Sequence, residues 1–278
     1  MPSTRSSGTG RPTVANPYRT PVSASGIATL VACEFAKLKR KKLVLAVLAL
    51  ALLFPLPLTA VMSRDQQVFL QLFSANVYFS ELLFHPAVLG VVAVMLFFQE
   101  EDNGTMKNLL AVPISRSRLL AAKLICIFIL SMAYSLMNLA GSLVGGLIVN
   151  VYSDVSLACA LAFGVGVLIF LATLPVIVVL VAMNRGYVFT IIAIVLYALI
   201  GWMIWYVNIR GVPMPLALLP VPLVGTWFLG VVQHASFLGY LGELLALPFS
   251  PVVAAVLLVA EGAICCAAAV WLYGRARE

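Results

Sequence analysis

Charged side chains are scarce in this chain of 278 residues, because Asp, Glu, Lys and Arg together make up only 10% of it. Hydrophobic residues make up 63%, and the mean hydropathy of +1.10 lies outside the range of soluble globular domains. Apolar runs of about 18 residues or more recur, which is typical of helices that cross a membrane. The alternating strands of an outer-membrane barrel are lacking. The composition therefore predicts an all-α, polytopic membrane helix bundle.

The sequence lacks the motifs that are typical of several functional classes. The chain has no Gly-x-x-x-x-Gly-Lys-Ser/Thr phosphate loop, so it does not hold a nucleotide in that way. No Ser/His/Asp, Cys/His or paired-carboxylate set has catalytic spacing, so we expect no enzyme activity. The net charge of +7 is explained by basic cytoplasmic loops better than by nucleic-acid binding. The cysteines lack metal-ligand spacing and are predicted to be small buried hydrophobes; they are Cys33, Cys126, Cys159, Cys265 and Cys266.

Six spans are predicted, at about residues 43–62, 79–98, 119–149, 157–183, 187–207 and 251–273. Residues 1–25 are rich in Ser, Thr, Pro, Gly and Arg, which predicts a disordered tail, either a frayed cytoplasmic end or a mimic of an organelle transit peptide. Residues 211–249 are apolar but repeatedly broken by proline. This pattern favours re-entrant or interfacial pieces, although one of them could cross the membrane.

The basic residues fix the predicted orientation, because cytoplasmic loops carry an excess of Lys and Arg. With the N-terminus inside, only Arg64 and Arg210 lie outside. The 15 basic residues on the cytoplasmic side are Arg5, Arg11, Arg19, Lys37, Lys39, Arg40, Lys41, Lys42, Lys107, Arg116, Arg118, Lys123, Arg185, Arg275 and Arg277. We therefore expect a cytoplasmic-membrane protein with an even number of spans and both termini in the cytoplasm.

An amphipathic helix is predicted before the first span. Apolar residues occur at helical spacing in residues 26–42, namely Ile27, Leu30, Val31, Phe35 and Leu38. A basic cluster follows, made of Lys37, Lys39, Arg40, Lys41 and Lys42. Such a helix lies in the headgroup layer, where its cations reach anionic lipids. The same cluster is also a signal that orients the first span, and the two interpretations are compatible.

The densest polar stretch between two apolar blocks is Glu100–Lys123. Asp102, Asn103 and Gly104 predict a turn, and Met106, Leu109 and Leu110 then form one apolar stripe of a short helix. That helix ends before Pro113, since a residue preceding proline avoids helical geometry. The acidic residues before it either face basic groups on a partner or stabilise the start of the short helix. The stretch is predicted to be a docking element at the membrane surface.

The same stretch resembles the cytoplasmic loop of ABC-2-type transporter permeases. In that family the second span ends in an acidic residue, a Gly-Thr-x-x-x-Leu-Leu helix follows, and a Pro-x-Ser-Arg motif enters the third span. The matching residues here are Phe97-Phe98-Gln99-Glu100, Gly104-Thr105-Met106-Lys107-Asn108-Leu109-Leu110, Pro113-Ile114-Ser115-Arg116 and Lys123. Glu34-Phe35 with Lys37-Leu38-Lys39-Arg40 is similar to the basic connecting helix of the family. The resemblance covers residues 26–278 and is closest to short permeases of lantibiotic immunity, bacitracin resistance and multidrug export.

The resemblance implies a function. The chain would be the permease subunit of an ABC exporter, with ATP and Mg on a separate ATPase and with a second copy or a similar permease as its partner. Residues 100–118 would form the coupling helix, and Arg185 would lie in a smaller second contact. The coupling residues would be Glu100, Glu101, Asp102, Gly104, Thr105, Lys107, Asn108, Leu109, Leu110, Pro113, Ser115, Arg116 and Arg185. The substrate would be an amphipathic or hydrophobic peptide antibiotic, drug or lipid-like molecule. Two alternatives are a membrane sensor or scaffold that uses the same loop, and a proton-coupled secondary transporter.

Four polar residues inside the predicted spans are candidates for the substrate path: Glu81, His85, Asn138 and Glu261. Glu81 and His85 lie one turn apart and could pair or bind a proton, or they could be hydrated at the membrane rim beside Pro86. Glu261 lies near the middle of the sixth span and could instead make a structural hydrogen bond. Asn138 is favoured as a hydrogen-bonding link between helices.

Two further patterns concern packing. Gly141 and Gly145 form a G-x-x-x-G pair in the third span, which predicts close helix packing, either within the chain or at a dimer interface. Trp202, Trp205 and Tyr206 cluster near the end of the fifth span, which predicts a membrane-interface belt.

Overall fold

The computed structural model describes residues 26–39, 41–62, 69–102, 116–151, 154–183, 187–208, 214–234 and 247–275. Within these ranges every regular element is a helix. We number the helices α1 (Ile27–Lys39), α2 (Lys42–Leu53), α3 (Pro55–Met62), α4 (Phe69–Asn76), α5 (His85–Asp102), α6 (Arg116–Val149), α7 (Val155–Met183), α8 (Tyr187–Asn208), α9 (Met214–Ala217), α10 (Pro220–His234) and α11 (Pro251–Arg275). A π-helix, Val77–Phe84, joins α4 to α5 and is called the π segment below.

Six helical stretches in the described ranges are long and apolar enough to cross a membrane. They are Lys42–Val61, Phe69–Phe98, Ser117–Val149, Val155–Val181, Val188–Val207 and Pro251–Leu272. The predicted all-α, polytopic membrane bundle with six spanning helices is confirmed.

The second span begins earlier than the sequence predicted. The second span was predicted to begin at about residue 79, but the helix begins at Phe69, and both Phe69 and Phe73 are buried. The polar residues in this stretch are satisfied inside the bundle. The Ser74 hydroxyl donates to the Leu70 carbonyl at 2.7 Å, and Asn76 bonds a residue of α6. Because buried polar groups with partners carry little penalty, the helix continues through them.

The first span is broken where its prolines lie. A turn at Phe54 separates α2 from α3, which begins at Pro55. The G-x-x-x-G pair of α6 packs against this break. A Cβ atom at Gly141 would overlap the Leu52 carbonyl, and one at Gly145 would overlap Thr59. The predicted close packing is thus made within one chain, against the first span.

We expect Gly141→Ala to lower the free energy of unfolding by about 1–3 kcal/mol, because the added methyl group meets backbone that cannot move aside easily. Equilibrium unfolding by SDS titration in bicelles measures this loss. The matched control is Gly262→Ala in α11, where the new Cβ would meet the flexible end of the Leu171 side chain. Equal costs for the two variants would contradict the proposed packing of α6 on the first span.

One face of helix α1 packs against the bundle, and the predicted position of this helix in the headgroup layer remains a prediction. Leu30, Glu34 and Leu38 are buried at i, i+4 and i+8, whereas Ile27 and Phe35 are 45% and 38% exposed. The buried face therefore includes a carboxylate. The reason is a cation on α6, described below, that faces Glu34.

The short helix α10 lies in the interior, with Val221, Leu223 and Phe228 buried. The predicted re-entrant character of residues 211–249 remains a prediction, and residues 235–246 lie outside the described ranges. Gly225 of α10 lets Trp205 of α8 approach closely, because a Cβ atom there would overlap the indole ring. Trp205 is 1% exposed, so the prediction that it belongs to an interface belt is wrong.

The cysteines divide in two groups. Cys126 is buried, and Cys265 and Cys266 are partly buried. Cys33 and Cys159 are exposed on the surface of the chain, so the prediction of burial is wrong for them. All five are free thiols. A small apolar side chain is as well suited to the outer face of a membrane helix as to its core, and composition alone does not separate the two positions.

Candidate functional site in the second and third spans

The π segment marks the middle of the second span. Its eight residues, Val77–Phe84, interrupt the regular helix, and the His85 amide donates to the Ser80 carbonyl five residues back. Pro86 follows at the second position of α5, where its missing N–H is tolerated. The wider winding before it brings Glu81 and His85 towards α6. Such π segments are frequently found at functional sites.

Glu81 and His85 form a buried pair. Glu81 Oε2 lies 2.5 Å from His85 Nδ1. Glu81 is 2% exposed and His85 is not exposed at all. The imidazole ring stacks on Tyr134 of α6 with 4.3 Å between ring centroids. A charged pair in this position is expensive unless its remaining hydrogen-bonding groups also find partners.

Residues on one face of helix α6 supply those partners. The Ser135 hydroxyl donates to Glu81 Oε2 at 2.9 Å, and Asn138 Nδ2 donates to Glu81 Oε1 at 3.0 Å. Ser131 Oγ lies 3.1 Å from His85 Nε2. Its hydroxyl donates to the Gly166 carbonyl of α7 at 2.7 Å. The pair therefore connects three spans.

The hydrogen bonds continue along the second and third spans in antiparallel order. Asn76 Nδ2 donates to Ser142 Oγ at 2.9 Å, and the Ser142 hydroxyl donates to the Asn138 carbonyl at 2.8 Å. Ser80 Oγ lies 3.1 Å from the Tyr134 hydroxyl. We call these residues, with the pair and its partners, the polar ladder. Two of its buried oxygens, Asn76 Oδ1 and Asn138 Oδ1, have no hydrogen-bond partner.

The structure brings three of the four substrate-path candidates together. Glu81, His85 and Asn138 belong to one network, and the interpretation of His85 as a hydrated rim residue is wrong because its side chain is enclosed. The error follows from the misplaced start of the second span, since a helix that begins at Phe69 puts His85 near its middle. Asn138 acts as the predicted link between helices.

Glu261 lies apart on α11 and is partly buried, with Oε2 enclosed and without a hydrogen-bond partner. No hydrogen bond or ion pair joins it to the polar ladder within the described ranges. The described residues also contain no group of three His, Cys, Asp or Glu side chains placed to hold a metal ion.

A second charged cluster lies where α1 meets the ends of α5 and α6. Lys123 of α6 is fully buried, and its ammonium donates to the Leu96 carbonyl of α5. It also lies 5.1 Å from the centroid of the Phe97 ring and 3.9 Å from Glu34 Oε2. Lys37 pairs with the other oxygen of Glu34 at 2.5 Å. We call this arrangement the lysine junction.

Sequence reasoning placed Lys123 among the loop cations and missed this role. The available signal was its position within an apolar stretch, between Leu120 and Cys126, both of which are also buried. A cation at that point of a helix needs a buried partner. The unusual acidic residue on α1, Glu34, was the candidate.

Most of the predicted coupling residues lie outside the described ranges. Glu100, Glu101 and Asp102 form the last residues of α5, and Arg116 begins α6. The others, outside the described ranges, are Gly104, Thr105, Lys107, Asn108, Leu109, Leu110, Pro113, Ser115 and Arg185. The coupling role of this set remains a prediction.

Four of the five predicted membrane-interface cations lie in the described ranges. Lys39 and Lys42 are exposed, and Lys37 and Lys41 are partly exposed. Arg40 lies outside the described ranges. Their contact with lipid headgroups remains a prediction.

The comparison with known families covers most of the features described above. No curated protein matches the chain. A family model described as "ABC-2 family transporter protein" matches residues 30–201, which contain the lysine junction, the polar ladder and the segment between α5 and α6. This match spans more than half of the chain. The chain therefore belongs to the ABC-2 family of transporter proteins, as a membrane-spanning transport component of an ABC transporter.

Proposed function

We propose that this chain is the permease subunit of an ATP-binding-cassette exporter in the cytoplasmic membrane. A separate ATPase would bind the segment between α5 and α6, and Arg185 would lie at a smaller second contact. A second permease copy, or a similar permease, would complete the transport path. Closure of the ATPases on ATP would move the coupling segments and switch the path between inward and outward access.

The observation that carries this proposal is the family match across the connecting segment and both helices that flank it. The geometry of those helices supports it. The second and third spans are held together near the connecting segment by Lys123 and in mid-span by the Glu81–His85 pair. Two helices joined at two levels transmit a push on their connecting segment as one body.

The proposed substrate is amphipathic or hydrophobic, such as a peptide antibiotic, drug or lipid-like molecule. In the described spans the ionisable pair Glu81–His85 is enclosed, and its hydrogen-bonding groups are used within the polar ladder. A substrate would reach these two residues or Asn138 only after the second and third spans separate. Glu261, which is partly exposed, is the candidate that a substrate could meet without that separation.

The test is co-purification of the full chain with an ATPase, followed by substrate export measured in cells and in vesicles. We expect Gly104→Pro, which removes an amide and fixes the backbone, to lower export by roughly tenfold, equivalent to about 1.4 kcal/mol. Glu101→Lys should weaken the ATPase complex if its carboxylate faces basic groups. The matched controls are Gly104→Ala and Glu101→Asp.

Three outcomes separate the candidate functions. Intact ATPase association and export in both variants would overturn the coupling assignment. A bound ATPase without any export would favour the sensor or scaffold function. Substrate movement by the chain alone on a proton gradient would favour secondary transport.

A further inference from the structure

The hydrogen-bond donors and acceptors around His85 determine how many protons the pair holds. The Ser131 hydroxyl has one proton, and at 2.7 Å it donates that proton to the Gly166 carbonyl, which is only an acceptor. Ser131 Oγ must therefore accept in its contact with His85 Nε2 at 3.1 Å. It follows that His85 Nε2 carries a proton.

The contact on the other side of the imidazole ring needs a second proton. Glu81 Oε2 and His85 Nδ1 are 2.5 Å apart, and two lone pairs repel each other at that distance. One proton must lie between them. It is held either as an imidazolium facing a carboxylate or as a neutral imidazole facing a carboxylic acid. The two donors that Glu81 receives from α6, Ser135 and Asn138, favour the carboxylate.

We propose that the Glu81–His85 pair is a proton-binding site whose single exchangeable proton controls the link between the third and fourth spans. When the second and third spans separate enough for water to reach His85 Nε2, that nitrogen gives its proton to the water, and the ring keeps its Nδ1–H bond to Glu81. Nε2 then presents a lone pair, and the Ser131 hydroxyl must turn to donate to it. That hydroxyl can no longer donate to Gly166, so α6 loses this hydrogen bond to α7.

Few other groups of the described ranges face the Glu81–His85 pair. From α6, Tyr134 stacks on the imidazole, and its hydroxyl bonds Ser80. From α7, the Gly166 carbonyl faces the site through Ser131. No other titratable side chain of the described ranges bonds the pair. The site therefore takes a proton rather than a larger cation, because its carboxylate oxygens are already occupied by three donors.

The proton count can be read directly, since the chain contains two histidines, His85 and His234. We would label histidine with ¹⁵N in the full-length His234→Gln variant, in lipid nanodiscs, and record the ring nitrogens against pH together with the infrared carboxyl bands. The expected result is one proton more than a neutral imidazole with an ionised Glu81, and its loss as the pH rises. A neutral imidazole beside an ionised Glu81 at every pH would overturn the proposal.

The mechanical consequence has a separate reporter. Met132 Sδ would lie 3.1 Å from a Cβ atom at Gly166, so the Met132 methyl group is sensitive to the approach of α6 to α7. Its ¹³C signal should shift with pH in step with the loss of the proton, and Ser131→Ala should abolish that shift. An unchanged shift in Ser131→Ala would show that the hydroxyl does not carry the link. These measurements need no ATPase, so their failure is distinguishable from failure of the proposed export function.

A Glu81→Gln variant completes the test. The substituted amide carries no negative charge and cannot share a proton with His85, so the ¹⁵N signal of the shared proton and the pH-dependent Met132 shift should both be lost. Identical spectra in both proteins would also overturn the assignment of the site to the pair.

Discussion

Glu81→Ala is expected to lower the free energy of unfolding by about 3–5 kcal/mol, which is the cost of removing one partner from a buried charged pair. The change leaves His85 without its carboxylate. It also leaves the donors of Ser135 and Asn138, at 2.9 and 3.0 Å from Glu81, without an acceptor. SDS titration of the chain in bicelles, followed by circular dichroism, measures the loss.

The matched control for Glu81→Ala is Glu261→Ala. Both remove a carboxylate from a spanning helix, but Oε2 of Glu261 has no hydrogen-bond partner. The second change should therefore be neutral or stabilising, because it removes a costly group without breaking a pair. A milder control is Ser142→Ala, which removes one hydroxyl from the polar ladder and should cost about 0.6 kcal/mol, the average for such bonds in a membrane. A loss for Glu81→Ala no larger than that would contradict the role of the pair in the polar ladder.

Lys123→Met is the second change with a large expected effect, about 2–4 kcal/mol. Methionine keeps the length of the side chain but removes the charged donor to the Leu96 carbonyl and the cation near the Phe97 ring. It also withdraws one of the two cations that face Glu34. The same unfolding measurement applies, together with the accessibility of α1 to protease.

The control for this change is the double variant Lys123→Met with Glu34→Gln. If the loss arises mainly from the buried charge of Glu34, the double variant should be more stable than Lys123→Met alone. If it arises mainly from the Leu96 carbonyl, the two should be equally unstable. Wild-type stability in the single variant would contradict the lysine junction as a support of α1.

The number and type of the spans were predictable because the signal is large. An apolar stretch of about 20 residues crosses the hydrocarbon core, and the described part of this chain contains six helical stretches of that kind. The start of the second span was not predictable in the same way. Ser74 and Asn76 lower the local hydropathy, and only their partners, Leu70 and Ser142, show that they are buried.

The site was predictable only in part. The spacing of Glu81 and His85 gave their pairing, because residues four apart share one helix face. Their α6 partners carried a weaker signal, since isolated serines are common in membrane helices. The stripe of Ser131, Ser135, Asn138 and Ser142 has spacings of four, three and four, which lies on one face of a helix. That pattern could have indicated the polar ladder, but not which helix it meets.

Close packing between helices was predictable at glycine, because a residue without a side chain lets two helices approach each other. Gly141 and Gly145 predicted a close approach, and the structure identifies the first span as the neighbour. Trp205 showed the limit of such reasoning. An indole ring near a span end suits the membrane interface, but here the open space left by Gly225 admits it to the interior.

The π segment also makes the second span a torsional element. A π-helical stretch contains one residue more than the α-helix that would replace it. Return of Val77–Phe84 to α geometry would rotate everything after it by roughly 100° about the helix axis, which is the turn of one residue. The last residues of α5 would turn around that axis. At about 1.5 Å per residue, the end of α5 lies some 25 Å from the π segment. A change of winding beside the polar ladder would therefore change the direction that this distant end of the helix faces.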